Sequence, residues 1–220
     1  MCGDYMKVGK NVILYDAELG DNVTIMDNVV IGKQPFKAKL SATTDMKKYP
    51  PAKIGNNVTI GTNVIIYAGA VIGNNVYIAD GAIIREEVTI GDNTIIGCNS
   101  VIENKTVIGK NCKIETKAYI CAYSTIEDYC FIGPGVVFTN DNYVGRDKER
   151  FKHYKGPHLK RGARIAAGVV ILPGVIIGED SLIGAGSVVT RDTEQGWIYY
   201  GCPAKKIKLV DEKQLLKNNI

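Results

Sequence analysis

The chain has only two histidines, one tryptophan and no CxxC pair, and its net charge is a mild +4 over 220 residues. His153 and His158 stand five residues apart on one segment, too few for a three-histidine zinc site, so no metal is expected. No segment approaches the apolar length of a membrane span, and the opening MCGDYMKVGKNV lacks the apolar run of a signal peptide. A soluble cytoplasmic protein with no membrane insertion is the expectation. No stripe of interleaved aromatic and basic residues occurs, so nucleic acid is not an expected partner. The basic residues gather late, in DKERFKHYKGPHLKRGAR and AKKIK, a distribution suited to a phosphorylated small molecule. Six cysteines raise the question of disulfides, but Cys112 and Cys130 sit where other repeats carry Val, Ala, Ser or Thr. They read as small buried thiols.

What the chain does have is a six-residue beat. From Ile54 it runs IGNNVT, IGTNVI, IYAGAV, IGNNVY, IADGAI and IREEVT, continues to IGPGVV, and resumes later as IAAGVV, ILPGVI, IGEDSL and IGAGSV. A fixed short period is the mark of a solenoid. The first position is a large aliphatic that fills the interior. The fifth is small or β-branched, where the chain bends and little room remains. The fourth is often Asn or Gly, residues that tolerate positive φ in a corner. Each hexad is thus a short strand plus a corner, and three hexads close one triangular coil of eighteen residues. About eight to nine coils, stacked at roughly 4.8 Å, make an all-β rod about 40 Å tall. An antiparallel sandwich would need turns every eight to twelve residues or so and period-two alternation; neither is present.

The [LIV]-G-x-N-[VATSC]-x repeats from about Val8 to Ile207, with the tail IGAGSVVTRD and GCPAKKI, resemble the hexapeptide acyltransferases. That resemblance implies a left-handed parallel β-helix, an exception to the right-handed crossover rule, and a homotrimer with active sites between subunits. It implies acetyl-CoA or another acyl-CoA as donor, lying along the C-terminal coils. There Gly168, Ala185 and Gly186 are small enough to admit pantetheine, and Arg164, Arg191, Lys205 and Lys206 are candidates for its phosphates. The domain reads as residues 1–210, with residues 211–220 a short C-terminal helix or tail.

Two stretches break the beat: residues 33–53, and residues 139–161 within FTNDNYVGRDKERFKHYKGPHLKRGA. Ejected loops supply the polar side chains that a flat prism lacks. Several sugar and drug O-acetyltransferases of the resembled family place a histidine just before the second loop; here that place reads Thr139-Asn140-Asp141-Asn142-Tyr143. A hydroxyl acceptor needs a nearby general base. An amine, with a pKa of roughly 8, is already partly neutral near pH 7 and needs only to be oriented. Asn140 and Asp141 are therefore the candidate catalytic pair, for N-acylation. FTNDN with AYICAYSTIED resembles the branch that acylates dTDP- or UDP-linked amino sugars, which makes a nucleotide sugar the expected substrate. Arg85, Glu86, Glu103 and Asn104 replace the usual Gly-x and stack at eighteen-residue spacing, either as a substrate contact or as a solvated or subunit-bridging ladder. Tyr123 stands at a corner where Gly or Asn is usual, a candidate for base stacking. The competing readings are an O-acetyltransferase that uses His153 or His158, a carbonic-anhydrase-like zinc protein and a non-catalytic scaffold.

Overall fold

In the computed structural model, which describes residues 4–220, each hexad forms a short strand, mostly of two residues, followed by a corner. The strands stack into three walls. Wall A starts at Lys7–Val8, reaches Leu182–Ile183 and ends with Trp197–Gly201 and Ala204–Leu209, eleven strands in all. Wall B has nine, from Ile13–Leu14 to Val188–Val189, and wall C has eight, from Ala17–Leu19 to Ile176–Ile177. Pairing is parallel and steps by eighteen residues, as where Tyr77, Ile95, Lys113 and Phe131 lie one upon the next. The second insertion does not disturb the register: His158 lands on Thr125 and Leu159 on Ile126.

The expectation of eight to nine coils understates wall A. Trp197–Gly201 adds a parallel strand beyond the last complete coil, and Ala204–Leu209 folds back on it antiparallel. The GCPAKKI tail is therefore the turn and return strand of a closing hairpin. The expected C-terminal helix is instead two 3-10 turns, Glu212–Gln214 and Leu216–Asn218. They are pinned from outside, since Asp180 accepts the Leu216 N–H at 3.0 Å. No helix is long and apolar enough to cross a membrane among the described residues.

The residue types account for these walls. First-position isoleucines such as Ile60, Ile66, Ile78, Ile84 and Ile96 are completely buried, each contributing about 2–3 kcal/mol of transfer free energy. Fifth-position Val58, Val64 and Ala82 fill the space beside them. The corner asparagines, Asn57, Asn63, Asn75 and Asn93 among them, hold φ between 54° and 60°. Corner N–H groups that find no carbonyl are taken by a side chain of the next coil: Asn74 Oδ1 accepts from Asn56 N and Asp92 Oδ1 from Asn74 N, each at 2.8 Å. Cys112 and Cys130 are buried free thiols that donate to Glu127 O and Lys160 O, each at 3.2 Å.

The outer faces of the walls differ. Outward positions include Lys7, Thr59 and Lys113 on wall A, and Lys53, Thr125 and His158 on wall C. On wall B every outward residue from Ile13 through Ile65, Val101 and Val137 to Val188 is aliphatic except Tyr119.

Candidate active site

Both insertions leave the prism at the same corner. The first joins the wall B strand Val30–Lys33 to the wall C strand Ala52–Ile54; the second joins Val137–Phe138 on wall B to His158–Leu159 on wall C. Between them the B–C corner carries the polar column read from the sequence. Arg85 lies above Glu103 and Glu86 above Asn104, in the register set by Ile84 on Ile102. Further down, Asn140 donates its side-chain N–H to Ala122 O at 3.3 Å.

The upper part of this column is occupied by the chain itself. Arg85 makes a two-pronged contact with Glu86, at 2.8 and 3.1 Å, and reaches Thr44 Oγ1 at 3.1 Å and Glu103 at 3.5 Å. Asn104 donates to Thr43 O at 2.6 Å, Lys105 pairs with Asp45 at 3.0 Å, and Lys47 pairs with Glu87. The first insertion is thus strapped down along the corner, and Glu86 and Asn104 are completely buried. Burial pushes the Glu103 carboxyl up against the opposing charge of Arg85. Glu86 and Glu103 thus hold Arg85, while Arg85 and Asn104 hold the strap directly. Sequence reasoning missed its partners Thr43, Thr44, Asp45 and Lys47. The signal available was the spacing of charges on both segments.

The second insertion is organised around Asp141. Its Oδ1 accepts from Tyr143 N at 2.9 Å, and its Oδ2 accepts from Gly145 N at 3.0 Å and Arg150 Nη1 at 3.3 Å. Burial pushes this carboxyl up, but the N–H groups of Gly145 and Tyr143 and the Arg150 charge outweigh it and hold it below its ordinary value. Asn140 O receives Lys155 N at 3.2 Å, which ties the loop's exit to its entrance. Tyr123, expected to be free for stacking, already lies nearly parallel to Tyr154 at 6.5 Å, with Lys105 at 5.3 Å from its ring. The two histidines part company. His153 is exposed and lies against Tyr143, ring centres 5.9 Å apart, while His158 is on wall C bonded to Glu127 at 2.8 Å.

The residues expected to hold the acyl donor are dispersed within one chain. Gly168 and Gly186 line up with Gly135 at the A–B corner, with φ of 66°, 69° and 66° and no atom within 4 Å of where a Cβ would stand. With exposed Ala185 beside them they leave a bare backbone edge, which fits a narrow pantetheine chain. Arg164 is elsewhere, on wall A beneath the C-terminal turns, where it donates to Gln214 at 3.2 Å. Arg191 is exposed at the B–C corner, Lys205 is exposed on the return strand, and Lys206 pairs with Glu194 and sits 3.7 Å from the Trp197 ring centre. Among the described residues no group of three or more His, Cys, Asp or Glu is placed to hold a metal ion.

Residues 42–142 match the family model described as the GMPPB C-terminal domain, and residues 156–191 match the bacterial transferase hexapeptide model of six repeats. No curated protein matches in sequence. Among solved structures, the acetyltransferase domain of PglB from Neisseria gonorrhoeae is 20% identical with a TM-score of 0.52, over 60% of this chain and 57% of its own. This chain therefore covers little more than half of that one. A hexapeptide-repeat acetyltransferase from Vibrio cholerae is 22% identical, TM-score 0.47, over 56% of this chain and 74% of its own. The UDP-N-acetylglucosamine acyltransferase of Francisella novicida is 17% identical, TM-score 0.43, over 100% and 73%. At these identities the first likeness speaks for the fold alone. The three walls make the chain a parallel β-solenoid, and its stretch 156–191 is similar to the bacterial transferase hexapeptide repeats.

Proposed function

We propose that this chain is a CoA-dependent N-acyltransferase, acting as a cytoplasmic homotrimer of left-handed β-helices on the amino group of a dTDP- or UDP-linked amino deoxy sugar. The observation that carries the reading is the B–C corner at Asn140 and Asp141. Its carboxylate is held ionised by backbone donors and Arg150, and both histidines are occupied or displaced. Such a site suits an amine, which needs orientation rather than a strong base. Asp141 keeps the loop and its charge in place, and Asn140 presents an amide at the rod's edge. Acyl-CoA supplies the activated acyl group, with the glycine edge at the A–B corner as its seat.

Wall B supports the trimer. Its outward face is an aliphatic strip apart from Tyr119, and it separates the glycine edge from the loop corner. A cyclic assembly with wall B turned inward sets the A–B corner of one subunit beside the B–C corner of the next, completing a site that neither holds alone. The test is thiol release from acetyl-CoA against a panel of dTDP- and UDP-linked amino sugars, with the product identified by mass. Amide formation is expected, with activity retained in His153→Asn and His158→Asn. Transfer to a hydroxyl, abolished by either substitution, would overturn the reading in favour of O-acylation.

A further inference from the structure

The charge of this molecule is concentrated on its two insertions. Residues 33–53 hold six lysines against Asp45 alone, and residues 139–157 hold five lysines and arginines against Asp141, Asp147 and Glu149. Together they carry a net +7 in a chain whose total is +4, so the rest of the molecule is net acidic. The insertions also meet. The tip of the strap at Lys39–Ser41 faces Lys148, Arg150 and Phe151 of the second loop across a groove of about 460 Å³.

The chemistry of this groove is specific. Lys39 and Lys148 come from opposite sides and have no acidic partner among the described residues, unlike Lys47, Arg150 and Lys152. Asp147, the one acid on the lining, is engaged with Glu149 N at 2.9 Å. Phe151 is 58% exposed at the edge, a flat apolar surface beside the cations. Arg150 lines the groove and also contacts Asp141 at 3.3 Å, which links the lining to the Asn140–Asp141 corner. Two free ammonium groups facing across a gap of this size, in a locally positive field, select a compact multiply charged anion.

We propose that this groove binds the pyrophosphoryl group of the acceptor, with Lys39 and Lys148 as its clamps. The strap is then a substrate-binding element rather than a tolerated surface insertion. The assignment to the acceptor rests on the reading of a nucleotide-linked sugar given above. The same chemistry is present in the pyrophosphate of CoA, and the experiment separates the two sources.

Dissociation constants for dTDP, UDP, CoA and inorganic pyrophosphate are measured by calorimetry at low and moderate salt. The proteins are the unsubstituted chain, Lys39→Gln, Lys148→Gln, the double variant and the control Lys113→Gln, whose lysine on wall A pairs with Glu115. Thermal unfolding confirms that each variant is folded. The expected result is about tenfold weaker nucleoside diphosphate binding for each single clamp variant, more for the double, with CoA binding and the control unchanged. Loss of CoA binding with nucleoside diphosphates unaffected would overturn the assignment to the acceptor. If the intact protein binds pyrophosphate through these lysines but no nucleoside diphosphate, the groove stands and the nucleotide-linked reading falls. No anion weakened in the double variant, or none bound by the intact protein, would overturn the groove itself.

Discussion

Asp141 shows how far a residue's place in the repeat can be read, and where that reading stops. Its place, where the beat fails, makes it a candidate; that its carboxylate is committed to two backbone donors and an arginine depends on how the loop turns back. Its folded pKa lies below the ordinary 3.8, so the clasp's stabilisation is complete above that value and is lost as pH falls through the lower folded one. Hydrogen exchange of the loop amides should stay slow from neutrality to about pH 4 and rise only below it, with the step absent in Asp141→Ala. The same substitution should lower kcat/KM at pH 7 by about a hundredfold, through loss of an ordered acceptor site. An unchanged exchange profile would mean the carboxylate does not organise the loop. Tyr123 offers the opposite lesson: its odd corner position is used internally, stacked on Tyr154 and approached by Lys105, which no spacing rule reveals.

At the scale of the hexad, stability comes from an aliphatic inside and a corner residue that accepts positive φ. Ile96, completely buried, leaves a cavity when cut to Ala, and about 2–5 kcal/mol of stability should be lost in urea unfolding. The opposite change is available where a corner carries the wrong residue. Lys117 holds φ of 60°, a conformation that costs an ordinary side chain about 1 kcal/mol, so Lys117→Gly should raise the unfolding midpoint. The strap follows a different rule, because its anchors are charged groups packed under a loop. Glu86→Ala leaves Arg85 without its two-pronged partner and should cost about 3 kcal/mol locally, read as faster proteolysis within residues 33–53. The beat identified both insertions; it could not show that one is fastened to the coil, because that depends on where a non-repeating segment lies.

Across the whole molecule, the three walls have one interior and three different exteriors. Wall B presents aliphatic groups along its length apart from Tyr119, and a strip of that length in water favours association. Val101→Glu, placed at its middle, should convert the proposed trimer to monomers in sedimentation, with far-ultraviolet circular dichroism unchanged, and activity should fall with the assembly. A trimer that survived this change would place the interface on another wall.

The solenoid, its eighteen-residue register, the interior isoleucines and the position of both interruptions are all legible in the order of residues alone. Each follows from a local repeat in which the same residue type meets the same environment in every coil. It took the folded molecule to show that both insertions leave from one corner, that Arg85 and Asn104 hold a strap, and that Arg164 and Lys206 are engaged away from the glycine edge. Those contacts join residues outside the repeat at long separation, and a periodic pattern carries no information about where an aperiodic segment comes to rest.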